Sequence, residues 1–330
     1  MVALTTIVAL AVVGTAVVWI GADQLEDAAD RLAAYYGVPA IVQGAVLAGV
    51  GSSMPELVTA VLAPLLHGDF ELGLAVIVGS AIFNVLIIPA VATLASTGPL
   101  AANQRVVYKE AQFYLIAIAV FLLTLSFAVI YEPTDEHALG GEITPLLALL
   151  PLGLYILYGF IQYQDTIEHV SRRSRTGIAP LREWVRFGGG FVLILLGVEA
   201  LLRAAIGMGD LLGTPSFIWG LTIIAAATSL PDTFVAVRAA RGDRSVTSIA
   251  TVFGSNVFDL LVAVPAGVLV AGGAVVDFAA TAPLMGVLVV ATIVLFAELR
   301  TSFELSRLEA LSLFACYGAF LAWILFDTFG

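Results

Sequence analysis

Charge is scarce in this chain. Only 12% of its 330 residues are Asp, Glu, Lys or Arg, 60% are hydrophobic, and mean hydropathy is +1.04. Soluble domains carry about a quarter charged residues, so an ordinary water-soluble fold is excluded. Histidine is rarer still. His67, His137 and His169 all fall in expected loops, which argues against a histidine metal cluster or a buried histidine relay. The single cysteine, Cys316, lies in the last apolar segment and says nothing about redox compartment. The first thirty residues lack Lys and Arg and show no cleavage site, so the first apolar run is expected to be a retained helix and not a signal peptide. Short alternating segments are missing as well, which excludes a β-barrel. The net charge of −11 reads as solvated loops with excess acid, or as salt adaptation. Nothing basic and aromatic is arranged for nucleic acid.

Long apolar runs are what the chain has. Ten of them predict membrane helices over 2–20, 39–66, 71–97, 111–131, 143–163, 186–206, 215–240, 245–271, 280–298 and 308–327. The connections are short, and the longest, 164–185, is an Arg-rich linker. With ten passes, thirteen of the 14 basic residues fall on one side and only Arg203 on the other. The positive-inside rule makes that side cytoplasmic and both termini extracellular, in a multi-pass protein of the cell membrane.

The chain also repeats itself. Gly51-Ser52-Ser53-Met54-Pro55-Glu56 returns as Ala227-Thr228-Ser229-Leu230-Pro231-Asp232, and Pro55 to Pro231 and Glu56 to Asp232 each span 176 positions. Gly79-Ser80-Ala81-Ile82-Phe83-Asn84 returns as Gly254-Ser255-Asn256-Val257-Phe258-Asp259, 175 positions on. Pro89 and Pro265 are a further matched pair. The expected fold is an all-α membrane protein of ten helices in two five-helix repeats, with helices broken near the midplane. The halves are 1–163 and 186–330, with their motifs at 44–94 and 220–270. Five is odd, so the repeats run in opposite directions across the membrane.

Glu56, Asp232 and Asp259 lie well inside apolar segments, where an ionisable residue costs ~2.5–3.5 kcal/mol and marks a functional site. Proline at 55 has no N–H, which frees the Gly51 carbonyl beside Glu56. A pseudo-two-fold axis brings Glu56 and Asp232 together. Two bare carboxylates at low dielectric do not both stay ionised, and a divalent cation between them resolves the repulsion. Ser80 and Asn84, like Ser255 and Asp259, are four apart and share a helix face. Glu199, nearer a helix end, reads as structural.

These four motifs resemble the two α-repeats of the sodium/calcium exchanger family. The resemblance covers roughly 21–97 and 197–272. It implies calcium bound by Glu56 and Asp232 with the backbone carbonyls of Ser52 and Thr228. It implies sodium bound by Ser53, Ser80, Ser229 and Ser255 near Asn84 and Asp259. Sodium influx then drives calcium efflux through one site exposed alternately to each side. Membrane lipid and the two ions are the expected partners; no cofactor, catalytic residue or obligate protein partner is. Ala227, Ala81 and Asp232 depart from common family residues and leave selectivity open. Asp259 matches potassium-dependent and potassium-independent members alike, and hydroxyls stand where proton-coupled exchangers usually carry Asn, which favours sodium; potassium-dependent or proton-coupled exchange is the alternative. Two rivals are weaker. A passive cation channel would share the apolar frame, and Gly207-Met208-Gly209-Asp210 matches the GxGD string of intramembrane proteases in a predicted connection, without its usual companion motif.

Overall fold

Hydrocarbon offers no hydrogen bonds to a backbone, so long apolar runs must satisfy their own as helices. The computed structural model describes residues 2–36, 51–104, 106–135, 138–164, 179–242 and 245–329. Ten helical segments cross it: α1 Val2–Tyr35, α2 Met54–His67, α3 Phe70–Ala95, α4 Val106–Tyr131, α5 Pro145–Gln164, α6 Pro180–Leu212, α7 Ser216–Arg241, α8 Ser245–Ala271, α9 Phe278–Ser302 and α10 Arg307–Phe329. Nine are long and apolar enough to span a bilayer among the described residues; α2 is the shorter tenth. Its expected beginning, at 39–50, lies outside the described residues.

Two helices, α1 and α6, run furthest past their predicted ends. The first was expected over 2–20 and continues to Tyr35. Beyond Ile20 the sequence turns polar but keeps helical spacing, burying Ala22, Leu25, Ala28 and Leu32 while Asp23, Asp27 and Asp30 face outward. The sixth was expected over 186–206. It starts at Pro180, a residue suited to a first helical turn, and ends at Gly213 in the left-handed conformation (φ +67°). Asp210 of the GxGD string is therefore an exposed residue of its last turn and not part of a connection.

Short strands tie the connections together, which the sequence pattern did not suggest. β1 (Leu100–Ala101) pairs with β5 (Glu304–Leu305), joining the α3–α4 and α9–α10 connections. β2 (Pro133–Thr134), β3 (Gly140–Ile143) and β4 (Ala274–Asp277) form an antiparallel sheet joining the α4–α5 and α8–α9 connections. The described residues of the spans are helical apart from single-residue interruptions at Ser53 and Ser229.

α3 is the centre of the molecule. In its most apolar window 89% of residues are buried, against 22% for α1 and α10. That follows from a helix apolar on every side. α1 and α6 pack along each other outside it. A Cβ added at Gly21 would stand 2.8 Å from Gly190 O, and one at Gly14 3.0 Å from Gly197 O. Gly14 to Gly190 and Gly21 to Gly197 each span 176 positions. The helix equivalents therefore cross head to tail, and only glycine lets their backbones approach this closely.

Candidate functional site

α2 and α7 approach the centre by the same device. Helical residues Gly51 and Ser52 stop at Ser53 (φ −89°, ψ 11°), and the helix restarts at Met54 with Pro55 in its first turn. Ser229 (φ −80°, ψ −2°) is the same interruption in α7, followed by Leu230 and Pro231. Proline donates nothing, so Gly51 O and Ala227 O receive no bond from four residues on. The ladder reforms at once: Leu57 N donates to Ser53 O and Thr233 N to Ser229 O, both at 3.0 Å. Each break is thus a one-residue dislocation. It leaves Glu56 and Asp232 in the first turn of a new helix, where the dipole favours negative charge.

α3 and α8 supply the other wall. Gly79 lets the α3 backbone lie against Leu221 O of α7, a contact no side chain could share. That approach sets Ser80 Oγ 2.7 Å from Ser229 Oγ, and Ser80 also donates to Glu56 Oε1 at 3.2 Å. Across the centre, Ser52 Oγ and Ser255 Oγ pair at 3.3 Å, facing Asp232. Asn84 Nδ2 reaches Asp232 Oδ2 at 3.4 Å. Asp259 opens a π-helical turn, Asp259–Ala263, whereas its counterpart Asn84 sits in unbroken α-helix. Such turns recur at functional sites because they shift a side chain out of register.

All ten residues singled out in the sequence converge here, none more than 3% exposed: Ser52, Ser53, Glu56, Ser80, Asn84, Thr228, Ser229, Asp232, Ser255 and Asp259. The hydroxyl of Thr228 is satisfied locally by Ala225 O at 3.2 Å. The three carboxylates act on one another electrostatically. The Ser53 hydroxyl approaches Asp259 without closing a hydrogen bond. Buried polar atoms are nearly always bonded. Eight buried side-chain atoms among the described residues are not, and six belong to this cage: Ser53 Oγ, Glu56 Oε2, Asn84 Oδ1, Asp232 Oδ1 and both oxygens of Asp259. Five are carboxylate or amide oxygens, the donors a hard cation takes. Among the described residues no three His, Cys, Asp or Glu side chains form a ready-made metal centre. The cage is a loose mixture of carboxylate, hydroxyl and amide.

Sequence reasoning missed two members of the surrounding network. Asn256 and Tyr114, both fully buried, bond at 3.0 Å directly behind Asn84. The signal for Asn256 was its place inside the second repeat; Tyr114 lies outside both motifs and had none. His67, expected in a loop, ends α2 and bonds Glu199 at 3.0 Å, while Arg203 bonds the same carboxylate at 2.6 Å. At the other end Arg238 meets Asp23 at 3.9 Å and Arg31 meets Glu183 at 3.7 Å. A separate cleft of about 440 Å³ lies between the turns that end α2 and α8, lined by Asp69 and Glu71 but by no residue of the cage.

Comparison with known proteins gives this architecture relatives. The family described as sodium/calcium exchanger protein matches residues 6–164 and 182–326. The sodium/calcium exchanger MaX1 of Methanosarcina acetivorans is 24% identical over 334 residues, covering 91% of this chain and 93% of its own. The fold matches the solved sodium-calcium exchanger NCX_Mj with a TM-score of 0.64 at 19% identity, covering 97% of this chain and 98% of that one. It matches the H+/Ca2+ exchanger CAX with a TM-score of 0.70 at 16% identity, covering 97% and 88%. The two likenesses in structure bear on the fold alone, whereas the family match takes in both halves. The chain belongs to the sodium/calcium exchanger protein family and is a multi-pass membrane cation antiporter, not an enzyme.

Proposed function

We propose that this protein exchanges sodium for calcium across the cell membrane by exposing one central site alternately to the two sides. The observation that carries the reading is the six unpartnered buried atoms gathered between two equivalent helix breaks. Calcium takes about 6–8 oxygens at roughly 2.3–2.6 Å. Glu56 and Asp232 supply its carboxylates, with the carbonyls of Ser52 and Thr228 at the breaks. Sodium, with half the charge, uses the hydroxyls of Ser53, Ser80, Ser229 and Ser255, with Asn84 and Asp259 at the middle. A transport site must release its ion in every cycle, and a loose oxygen cage does so where a tight metal centre would not.

The head-to-tail crossing of α1 and α6 supports a division into inverted halves, 1–163 and 186–330, joined by the linker at 164–185. In this scheme both termini are extracellular, and the protein works with lipid and its two ions alone, without a cofactor or an obligate protein partner. The three buried carboxylates favour one second reading, proton-for-calcium exchange, since each is a proton acceptor as well as a cation ligand. Reconstituted vesicles separate the couplings. Radiolabelled calcium uptake should follow an imposed sodium gradient and ignore proton or potassium gradients imposed singly. Uptake driven by a proton gradient alone overturns the sodium assignment.

A further inference from the structure

The orientation of one ligand in the cage is set from outside it. Asn256 donates from Nδ2 to the backbone oxygen of Ala81 at 3.1 Å and to the Tyr114 hydroxyl at 3.0 Å. A backbone carbonyl only accepts, so this contact determines which end of the Asn256 amide faces α3. Its Oδ1 is then left to accept from Asn84 Nδ2, at 3.0 Å. The same Asn84 nitrogen approaches Asp232 Oδ2, and an ionised carboxylate also only accepts. With two acceptors against its nitrogen, Asn84 must turn its own oxygen the other way, where it is buried and without a hydrogen-bond partner. Reversing the amide would set Asn84 Oδ1 against two acceptor oxygens, Asn256 Oδ1 and Asp232 Oδ2, and lose both hydrogen bonds.

The repeat explains how such a brace could arise. Ala81 and Asn256 are equivalent positions, 175 apart. The amide present at one of them bonds the backbone at the other, across the joint between α3 and α8.

We propose that Asn256, braced by Tyr114, is a positioning residue for the central cation site: it holds the Asn84 amide with its oxygen toward the ion. The inference rests on the cage being that site. Asn256 has both amide protons engaged and touches the ion only through Asn84, so its effect must disappear when Asn84 is removed.

A double-mutant cycle on the purified full-length protein tests this. Radiolabelled calcium is bound at equilibrium and displaced by sodium in wild type, Asn84→Ala, Asn256→Ala and the double variant. Asn256→Ala should weaken sodium about tenfold, the loss of ~1.4 kcal/mol, and the double variant should be no weaker than Asn84→Ala. In vesicles Asn256→Ala should raise the KM for sodium and leave kcat within about twofold, as lost ground-state binding does. Tyr114→Phe keeps the ring and removes one brace, so it should give a smaller loss, about threefold, that also vanishes in the Asn84→Ala background. It serves if Asn256→Ala does not fold. Additive losses, or a wild-type sodium affinity in Asn256→Ala, overturn the positioning role while leaving the cage intact. A wild-type protein that binds neither ion overturns the cage and the positioning role together.

Discussion

Glu56→Gln removes one buried negative charge and keeps the shape of the side chain. Glu56 is fully buried, with Ser80 on Oε1 at 3.2 Å and no partner on Oε2. A unit charge and a divalent ion about 4 Å apart attract by ~8 kcal/mol at an effective dielectric near 20, and a monovalent ion by half as much. Hydration surrendered by the ion offsets much of this, and removing one partner of a buried pair costs ~3–5 kcal/mol. At ~1.4 kcal/mol per decade, calcium should bind roughly a hundredfold to a few thousandfold more weakly, with a smaller loss for sodium. The ion-free protein should show the opposite sign. Three buried carboxylates repel one another, and an amide relieves one of them, so melting without calcium should hold or rise. Thermal melting against added calcium reads both effects. At calcium a hundredfold above the wild-type Kd, the wild type gains ~2.7 kcal/mol and the variant less than ~0.5 kcal/mol. A full calcium-induced shift in Glu56→Gln, or a variant less stable than wild type without calcium, would refute the reasoning.

Three further outcomes follow from the same geometry. Gly79→Ala drives a Cβ into Leu221 O and to 2.8 Å from Ala225 Cβ, and backbone cannot yield, so a loss of at least ~1–3 kcal/mol in melting with slower exchange is expected. Gly286→Ala, with nothing within 4 Å of the new Cβ, is the silent control. In a Cys316→Ser background, Ser174→Cys should resist impermeant labels applied outside intact cells if the proposed orientation, with the Arg-rich linker cytoplasmic, holds; labelling from outside reverses it. If three sodium ions exchange for one calcium, one positive charge crosses per cycle. Making the vesicle interior positive by ~100 mV, worth ~2.3 kcal/mol per charge, should then speed sodium-out, calcium-in exchange, and indifference to the clamp would point to two sodium ions.

The site was legible because it is written twice. A lone Ser80 or Ser255 in an apolar helix reads as packing; at matching offsets from Pro55 and Pro231 they read as one construction. The same rule hid Asn256, whose equivalent is Ala81, since only positions polar in both copies stood out. Tyr114 sits in an apolar run beyond either copy, where an aromatic ring looks like core. Helix ends were misread where the physics changed from hydrocarbon to water. Past Ile20 the acidic residues of α1 resemble a loop until their spacing is set against the buried face of Ala22, Leu25 and Leu32. The strand pairs at Leu100–Leu305 and Gly140–Asp277 depend on which loops meet in space, and two to four residues carry too little pattern to announce it. The π turn at Asp259 did leave a trace in the spacing: six positions separate Asp259 from Pro265, against five from Asn84 to Pro89, so the second copy carries one more residue where the turn lies.

The most direct measurement is a crystal structure of the protein grown in calcium and collected for its anomalous signal. One calcium peak is expected between Glu56 and Asp232, with carboxylate oxygens at roughly 2.3–2.6 Å, and it should be lost when crystals are moved into high sodium. A calcium peak confined to the cleft beside Asp69 and Glu71, with none between Glu56 and Asp232, would contradict that assignment.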